Sequence, residues 1–158
     1  MYWYECEMIY SPIEMFRFWN YQVHIWLKYY IAHRLTPPGE KAGKFDFAIV
    51  FSVSAFWHGF YLSYYLSFFF SALICEIAKD IFKARSLFNW IPKPLRWIIA
   101  NQLTMYSLDY FFVVVNAQTT ENVLFFFNAT YWNVVWLPFI VFGITRGFGL
   151  AGIARKYE

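Results

Sequence analysis

The chain has 158 residues, of which 60% are hydrophobic and 26% aromatic, while 15% are charged and the formal net charge is +3. Soluble domains carry about 25% charged residues, so this composition excludes an ordinary soluble enzyme and points to a membrane protein with several spans. The small net charge offers no footprint for a nucleic-acid partner, and two cysteines, Cys6 and Cys75, give neither a disulfide framework nor a ligand cluster.

Residues 1–16 mix Glu5, Glu7 and Glu14 with aromatics and read as a loop or the tail of a preceding element. Met1–Glu5 lacks a basic stretch leading into an apolar core, so no cleavable signal peptide is expected. Ser11-Pro12 predicts a helix start. Residues 13–35 are then expected to form an amphipathic helix. Phe16, Trp19, Val23, Trp26, Leu27 and Tyr30 recur at helical spacing, and Arg17, Lys28 and Arg34 lie away from that stripe. Pro37-Pro38-Gly39 stops the helix.

From Phe45 to Cys75 there is no Lys, Arg or Glu, and Asp46 is the only acid. As one helix, residues 45–78 would run about 50 Å at 1.5 Å per residue, against a hydrocarbon layer about 30 Å thick. Two short or tilted spans are expected, broken close to His58-Gly59. Irregular backbone at that depth survives only where protein buries it or it lines a cavity, so the break points to a chamber around His58.

Residues 79–96 hold Lys79, Lys83, Arg85, Lys93 and Arg96 with Pro92 and Pro94, and read as a basic connector. A third span is expected over 97–115, a polar turn over 116–122, and a fourth span over 123–144, interrupted by Asn128, Asn133 and Pro138. The tail from Thr145 ends in Arg155-Lys156-Tyr157-Glu158, similar to a dibasic retrieval signal. The expected fold is all-α: a polytopic transmembrane bundle of about four spans plus the N-terminal amphipathic helix. That topology puts the basic segments on one side, which makes the 79–96 connector cytosolic.

His58 sits in the apolar stretch Ser54-Ala55-Phe56-Trp57-His58-Gly59. An ionisable side chain in lipid is costly, and by default marks a functional site. A structural histidine bonded to a helix carbonyl is the competing reading. Upstream lies Trp19-Asn20-Tyr21-Gln22-Val23-His24-Ile25-Trp26-Leu27. Taken alone, Asn20 reads as a helix-packing amide worth about 1 kcal/mol. His24 shares its helix face and reads as an interface residue that could orient it; His33 reads as solvated. No two His or Cys residues have ligand spacing, so no metal is expected.

Asp109, inside the third span, wants a partner such as His58 or a tyrosine, unless it sits near the far interface. Phe68-Phe69-Phe70 and Phe125-Phe126-Phe127 read as lipid-facing or packing surface. Trp132 and Trp136 read as interfacial anchors. Asn128-Ala129-Thr130 is a glycosylation sequon placed inside a span, where modification is not expected.

Trp-Asn followed by Trp-Leu, then a basic loop with Pro and Gly, then Ser-Ala-Phe-Trp-His-Gly and the Tyr64-Tyr65 pair, resembles the membrane-bound O-acyltransferases, and within them the lysophospholipid acyltransferase branch. The resemblance is strongest over residues 16–70. It implies His58 and Asn20 as catalytic residues, with Trp57, Ser54, Ser63, Tyr64 and Tyr65 at the substrate. It implies acyl-CoA as co-substrate with no bound cofactor, a lysophospholipid or other lipid alcohol as acceptor, membrane lipids as surroundings, and the endoplasmic reticulum membrane as location. Leu62-Ser63 departs from the Pro-Gly of the pattern. The chain is also shorter than the family's usual length and lacks most of its N-terminal bundle. A sterol, diacylglycerol or protein acceptor, or a truncated non-catalytic relative, are the alternatives.

The residues suit that chemistry. Acyl transfer from a thioester to an alcohol needs a base at the hydroxyl. Imidazole has a reference pKa of about 6.5, and a positioned general base contributes about 10²–10⁴-fold. There is no G-x-S-x-G elbow and no Cys set beside a His, so direct attack by the alcohol is expected rather than an acyl-enzyme. Asn20 offers an amide for the acceptor hydroxyl or the thioester carbonyl. Lys28, Lys41 and Lys44 lie nearest the site in sequence and could meet the anionic CoA head group.

Overall fold

The computed structural model describes residues 6–40, 43, 46–149 and 153. Every regular element among them is helical. In chain order these are α1 (Pro12–Trp19), α2 (Tyr21–Leu27), a π-helical turn (Lys28–Ala32), α3 (His33–Leu35), α4 (Asp46–His58), α5 (Leu62–Lys83), a 3₁₀ turn (Arg85–Phe88), α6 (Lys93–Ala117), α7 (Thr120–Ala129) and α8 (Asn133–Gly147). Met1–Glu5, Lys41, Lys44 and the dibasic tail Arg155–Glu158 lie outside the described residues.

The helix ends follow local chemistry. Pro12 stands in the first turn of α1, where its missing N–H costs nothing. The amphipathic helix expected as one piece over 13–35 is broken at Asn20, whose backbone leaves the helical region (φ −137°, ψ 77°) and caps the next helix. A hydrogen-bonded clasp precedes α4: Asp46 accepts from the Thr36 hydroxyl and, at 2.8 Å, from the Gly43 amide. α6 starts behind Pro92 with Pro94 in its first turn and stops at Gln118, held at φ 53°. Thr119 caps α7 by accepting from the Asn122 amide at 3.3 Å. The stretch 123–144, expected as one interrupted span, is two helices, because Tyr131 and Trp132 both take the left-handed conformation (φ 51° and 58°) between α7 and α8. That corner is braced by the Trp132 indole, which donates to the Asn128 side chain at 2.9 Å. The basic connector expected over 79–96 is partly helical, since Lys79 and Lys83 belong to α5 and Lys93 and Arg96 to α6.

One described helix, α6 with 25 residues, is long and apolar enough to cross a bilayer by length and composition. Two more apolar helices are shorter, Asp46–His58 and Val135–Gly147. The 13 residues of α4 span only about 20 Å at 1.5 Å per residue.

α5 is the organising helix and packs against α4, α6 and α8. Its buried face explains how. Ser63, Ser67, Ser71 and Cys75 recur at every fourth position and are among the most deeply buried side chains described, at 0–1% exposure. Small residues on one stripe let neighbouring helices approach closely, the usual device of helix packing in lipid. Ser71 returns its hydroxyl to the Ser67 carbonyl at 2.8 Å, and Ser63 donates to the Gln118 carbonyl at 3.4 Å, tying α5 to the end of α6. Replacing Ser71 by leucine is expected to overpack this seam and cost about 1–3 kcal/mol, read as a lower melting temperature in detergent micelles.

Two further ties close the bundle. Buried Asn101 on α6 donates to the carbonyls of Glu7 and Ile9 at 2.9 and 2.6 Å, holding the N-terminal segment down. At the other end, Arg146 on α8 reaches Asp80 at 2.9 Å and Glu76 at 2.8 Å on α5. Lys79 and Lys83 complete that cluster at 2.6 Å from Glu76 and 3.6 Å from Asp80. Asp109 joins nothing of this kind: it is exposed on α6, and neither the pairing with His58 nor one with a tyrosine forms among the described residues. The aromatic runs divide by helical face, with Phe68 and Phe127 buried and Phe69 and Phe125 exposed.

Candidate active site

α4 ends on His58 because Gly59 follows it at φ +135°, a conformation that side chains with a Cβ rarely adopt. The Gly59 amide closes the last turn on the carbonyls of Ala55 and Phe56, at 3.3 and 3.2 Å. Tyr61, in extended conformation, leads into α5. The imidazole therefore stands at a helix end, and α5 folds back beneath it. The Phe68 ring lies 5.1 Å from it and the Tyr64 ring 5.9 Å, both one turn apart on α5. Trp57 meets the imidazole edge-on at 5.3 Å. A Cβ at position 59 would come 3.3 Å from the Tyr64 ring. Gly59→Ala is expected to strain this turn by about 1–3 kcal/mol and to displace the imidazole. The check is a lower melting temperature in detergent micelles.

Asn20 occupies the joint between α1 and α2, exposed, with its side-chain oxygen accepting from the Val23 amide at 3.4 Å. Just before it, Trp19 packs on Phe112 of α6 at 4.6 Å, and one turn earlier Phe16 meets Phe51 of α4 at 5.4 Å and Phe111 of α6 at 5.6 Å, both edge-on. Phe68 completes this set, 6.2 Å from Phe51 and 5.4 Å from Phe111. No hydrogen bond joins Asn20 to His58 among the described residues. What connects them is this wall of four phenylalanines from α1, α4, α5 and α6, with His58 against one member and Asn20 one turn beyond another.

The remaining predicted residues separate. Ser54 is buried on α4 one turn before His58. Trp57 is 63% exposed and Tyr65 stands partly open. Ser63 is fully buried and serves the α5–α6 seam through Gln118, so its hydroxyl faces helix packing, not an open site. His24, on the same helix as the Asn20 cap, is half-buried; its burial, with the charges of Arg17 and Lys28, holds its pKa below the ordinary imidazole range. It is therefore an uncharged imidazole near neutral pH. Sequence reasoning missed the four-phenylalanine wall. Its members come from distant segments, and only the helical spacing of the flanking apolar residues hinted at it.

A family model for the membrane-bound O-acyltransferases matches residues 1–103. The chain belongs to the membrane-bound O-acyltransferase family. Its curated relatives include Lysophospholipid acyltransferase 2 of Arabidopsis thaliana, 34% identical over 110 residues, and Lysophospholipid acyltransferase 1 of the same plant, 31% identical over 110 residues. Each of these matches covers 70% of this chain and 23% of the relative. A lysophospholipid acyltransferase of Saccharomyces cerevisiae is 44% identical over 46 residues, covering 29% of this chain and 7% of the relative. The chain thus spans about a quarter of the length of the first two relatives. No solved structure matches it. Family membership makes it part of a membrane protein, which agrees with the apolar α6.

Proposed function

We propose that the protein carrying this chain transfers an acyl group from acyl-CoA to the free hydroxyl of a lysophospholipid, with His58 as general base and Asn20 assisting. The observation that carries the reading is the 110-residue match to two proteins named lysophospholipid acyltransferases, in a chain whose His58 imidazole, at a helix end, has no hydrogen-bond partner among the described residues. A free imidazole nitrogen is what a general base requires.

The step balances as follows. The imidazole takes the proton of the lysophospholipid hydroxyl. The oxygen attacks the thioester carbonyl, the new C–O bond forms and the C–S bond breaks. CoA leaves as thiolate and regains a proton from the imidazolium. The Asn20 amide donates to the carbonyl oxygen as negative charge collects there, a contribution largest where water is absent. His58 is exposed within this chain, so the water-free chamber is completed by further protein or by lipid. The phenylalanine wall supplies its apolar floor.

The membrane arrangement follows from the same reading. Four passes, made by the 45–78 and 97–144 regions, put the basic segments on the cytosolic side of the endoplasmic reticulum, where Lys28 lies near the route of the CoA head group. The test is an acceptor panel on the full-length protein in microsomes, with labelled acyl-CoA offered beside lysophosphatidylcholine, lysophosphatidylethanolamine, diacylglycerol and a sterol. Label entering the lysophospholipids supports the proposal. Label entering only the sterol or diacylglycerol, or no acceptor at all, removes it.

A further inference from the structure

The chain between Asn20 and His58 folds as two helical arms. The first runs from Asn20 through α2, the π-helical turn and α3 to Leu35; the second is α4, from Asp46 to His58. At 1.5 Å per residue the first is about 22 Å long and the second about 20 Å. The second arm is held by packing. Phe51, Ser54 and Ala55 are buried in it, and the Lys79 ammonium of α5 lies 4.1 Å from the centre of the Phe47 ring at its start. The first arm lacks such support. No residue of α2, the π-helical turn or α3 is buried. It is tied at its ends. At one end Phe16 and Trp19 dock on α4 and α6, just before Asn20. At the other end stands Thr36.

Pro37 keeps Thr36 extended, at φ −131° and ψ 102°. The Thr36 hydroxyl donates to the Asp46 carboxylate, which also accepts from the Gly43 amide at 2.8 Å. Position 43 has no room for a side chain: a Cβ there would lie 2.6 Å from Asp46 Oδ1. One carboxylate, in the first turn of the packed arm, thus fastens the far end of the unpacked one.

Asn20 is the pivot of the first arm. Its backbone is outside the helical region, and its side-chain oxygen accepts from the Val23 amide at 3.4 Å, so the carboxamide turns with α2. Were the Thr36 end to shift by about 6 Å, an arm of about 22 Å would turn by about 15° about Asn20. Catalytic groups must be held within about 10–20° of their productive geometry.

We propose that Asp46 is a positioning residue: by binding Thr36 and Gly43, its carboxylate sets the direction of α2 and so the aim of the Asn20 carboxamide. That role rests on the reading of Asn20 as the group that assists His58. It needs no open surface, and it is the same whether lipid or further protein surrounds the arm.

The experiment uses full-length protein in microsomes, with labelled acyl-CoA and the preferred lysophospholipid. Thr36→Val keeps the shape and removes the hydroxyl, Asp46→Ala removes the carboxylate, and Gly43→Ala crowds it. Each is expected to lower kcat about tenfold, inside the roughly 10²-fold that one carbonyl donor supplies, with KM for both substrates within about twofold of wild type. Thr36→Ser restores the wild-type rate. In an Asn20→Ala background, Thr36→Val lowers kcat no further, because the group it aims is gone. Spin labels on Tyr30→Cys and Phe56→Cys, at exposed positions of the two arms, read the geometry directly in protein whose other cysteines are serine. Their distance distribution is narrow with the clasp intact and widens in Thr36→Val and Asp46→Ala. An unchanged distribution in both variants overturns the proposal. So does a loss of kcat in Thr36→Val that persists in full in the Asn20→Ala background, which is the mark of a purely structural contact. Wild-type rates confined to the clasp variants remove the proposal alone, whereas wild-type rates in Asn20→Ala and His58→Ala remove the catalytic reading and the proposal with it.

Discussion

Replacing His58 by alanine is expected to lower acyl transfer by about 10²–10⁴-fold, the usual contribution of a positioned general base, while leaving the melting temperature close to that of the wild type. The second half of this expectation comes from the geometry. The imidazole sits at the exposed end of α4 and contributes ring contacts to Tyr64 and Phe68 but no hydrogen bond among the described residues. Its loss removes little packing from the Phe16–Phe51–Phe68–Phe111 wall, whose members touch each other without it. His58→Gln keeps the volume but cannot act as a base near neutral pH, so it should be as inactive as the alanine variant. Asn20→Ala should lose activity too, with a smaller rate effect of about 10²-fold for one carbonyl donor and a cost of about 0.5–2 kcal/mol from the missing helix cap. Asn20→Ser restores the cap but not the amide, and separates these two effects. The comparison is made by initial rates with labelled acyl-CoA and the preferred lysophospholipid. Wild-type rates in His58→Gln would end the assignment of this imidazole as the base.

The second large effect is expected at the clamp between α5 and α8. Arg146→Met removes two charge-assisted hydrogen bonds, to Asp80 and to Glu76. Asp80 is the more consequential partner. Its side chain is only 12% exposed, and its remaining cation, Lys83, stands 3.6 Å away on a largely exposed side chain. Glu76 retains Lys79 at 2.6 Å. With half of the Arg146 side chain exposed, the expected loss is about 1–3 kcal/mol, below that of a fully buried pair. For a chain of this size that lowers the melting temperature by about 2–10 °C. Arg146→Lys should recover only part of the loss, because an ammonium is a point charge and cannot fork between two carboxylates as a guanidinium does. Arg146→Met combined with Asp80→Leu should be more stable than Arg146→Met alone, since the nearly buried carboxylate is then gone and the Lys83 ammonium that loses it is largely exposed. Melting in detergent micelles reads all three. If Arg146→Met melts with the wild type, the clamp contributes nothing, and α8 is held by its apolar face alone.

Some of this architecture was legible before any coordinates. Gly59 after a long apolar run marked a helix break, and it is one, because φ +135° needs a residue without a Cβ. Pro37-Pro38-Gly39 marked the end of the first helical region, and the helices end at Leu35. The break at Asn20 was not legible. No proline or glycine stands there, and the amphipathic stripe of Phe16, Trp19, Val23 and Trp26 runs on past it. Only the docking of Trp19 on Phe112 and of Phe16 between α4 and α6 makes the bend worthwhile. The corner at Tyr131 and Trp132 escaped for a similar reason: aromatic residues rarely take positive φ, and this pair does so where the Asn128 amide and a backbone turn hold them.

Composition and spacing on their own determined that this chain is helical and belongs in lipid, and they singled out His58 as an ionisable group in an apolar run, while Asn20 entered only through the resemblance to the acyltransferases. Both conclusions rest on local quantities, the transfer energy of apolar side chains and the cost of placing an ionisable ring among them. Which residues share a surface was decided only by the folded chain. The phenylalanine wall, the serine stripe of α5 and the choice of Asp80 and Glu76 by Arg146 all depend on helix rotation and register. Those are set by packing between segments far apart in sequence, where many apolar side chains are interchangeable in hydropathy and differ only in shape.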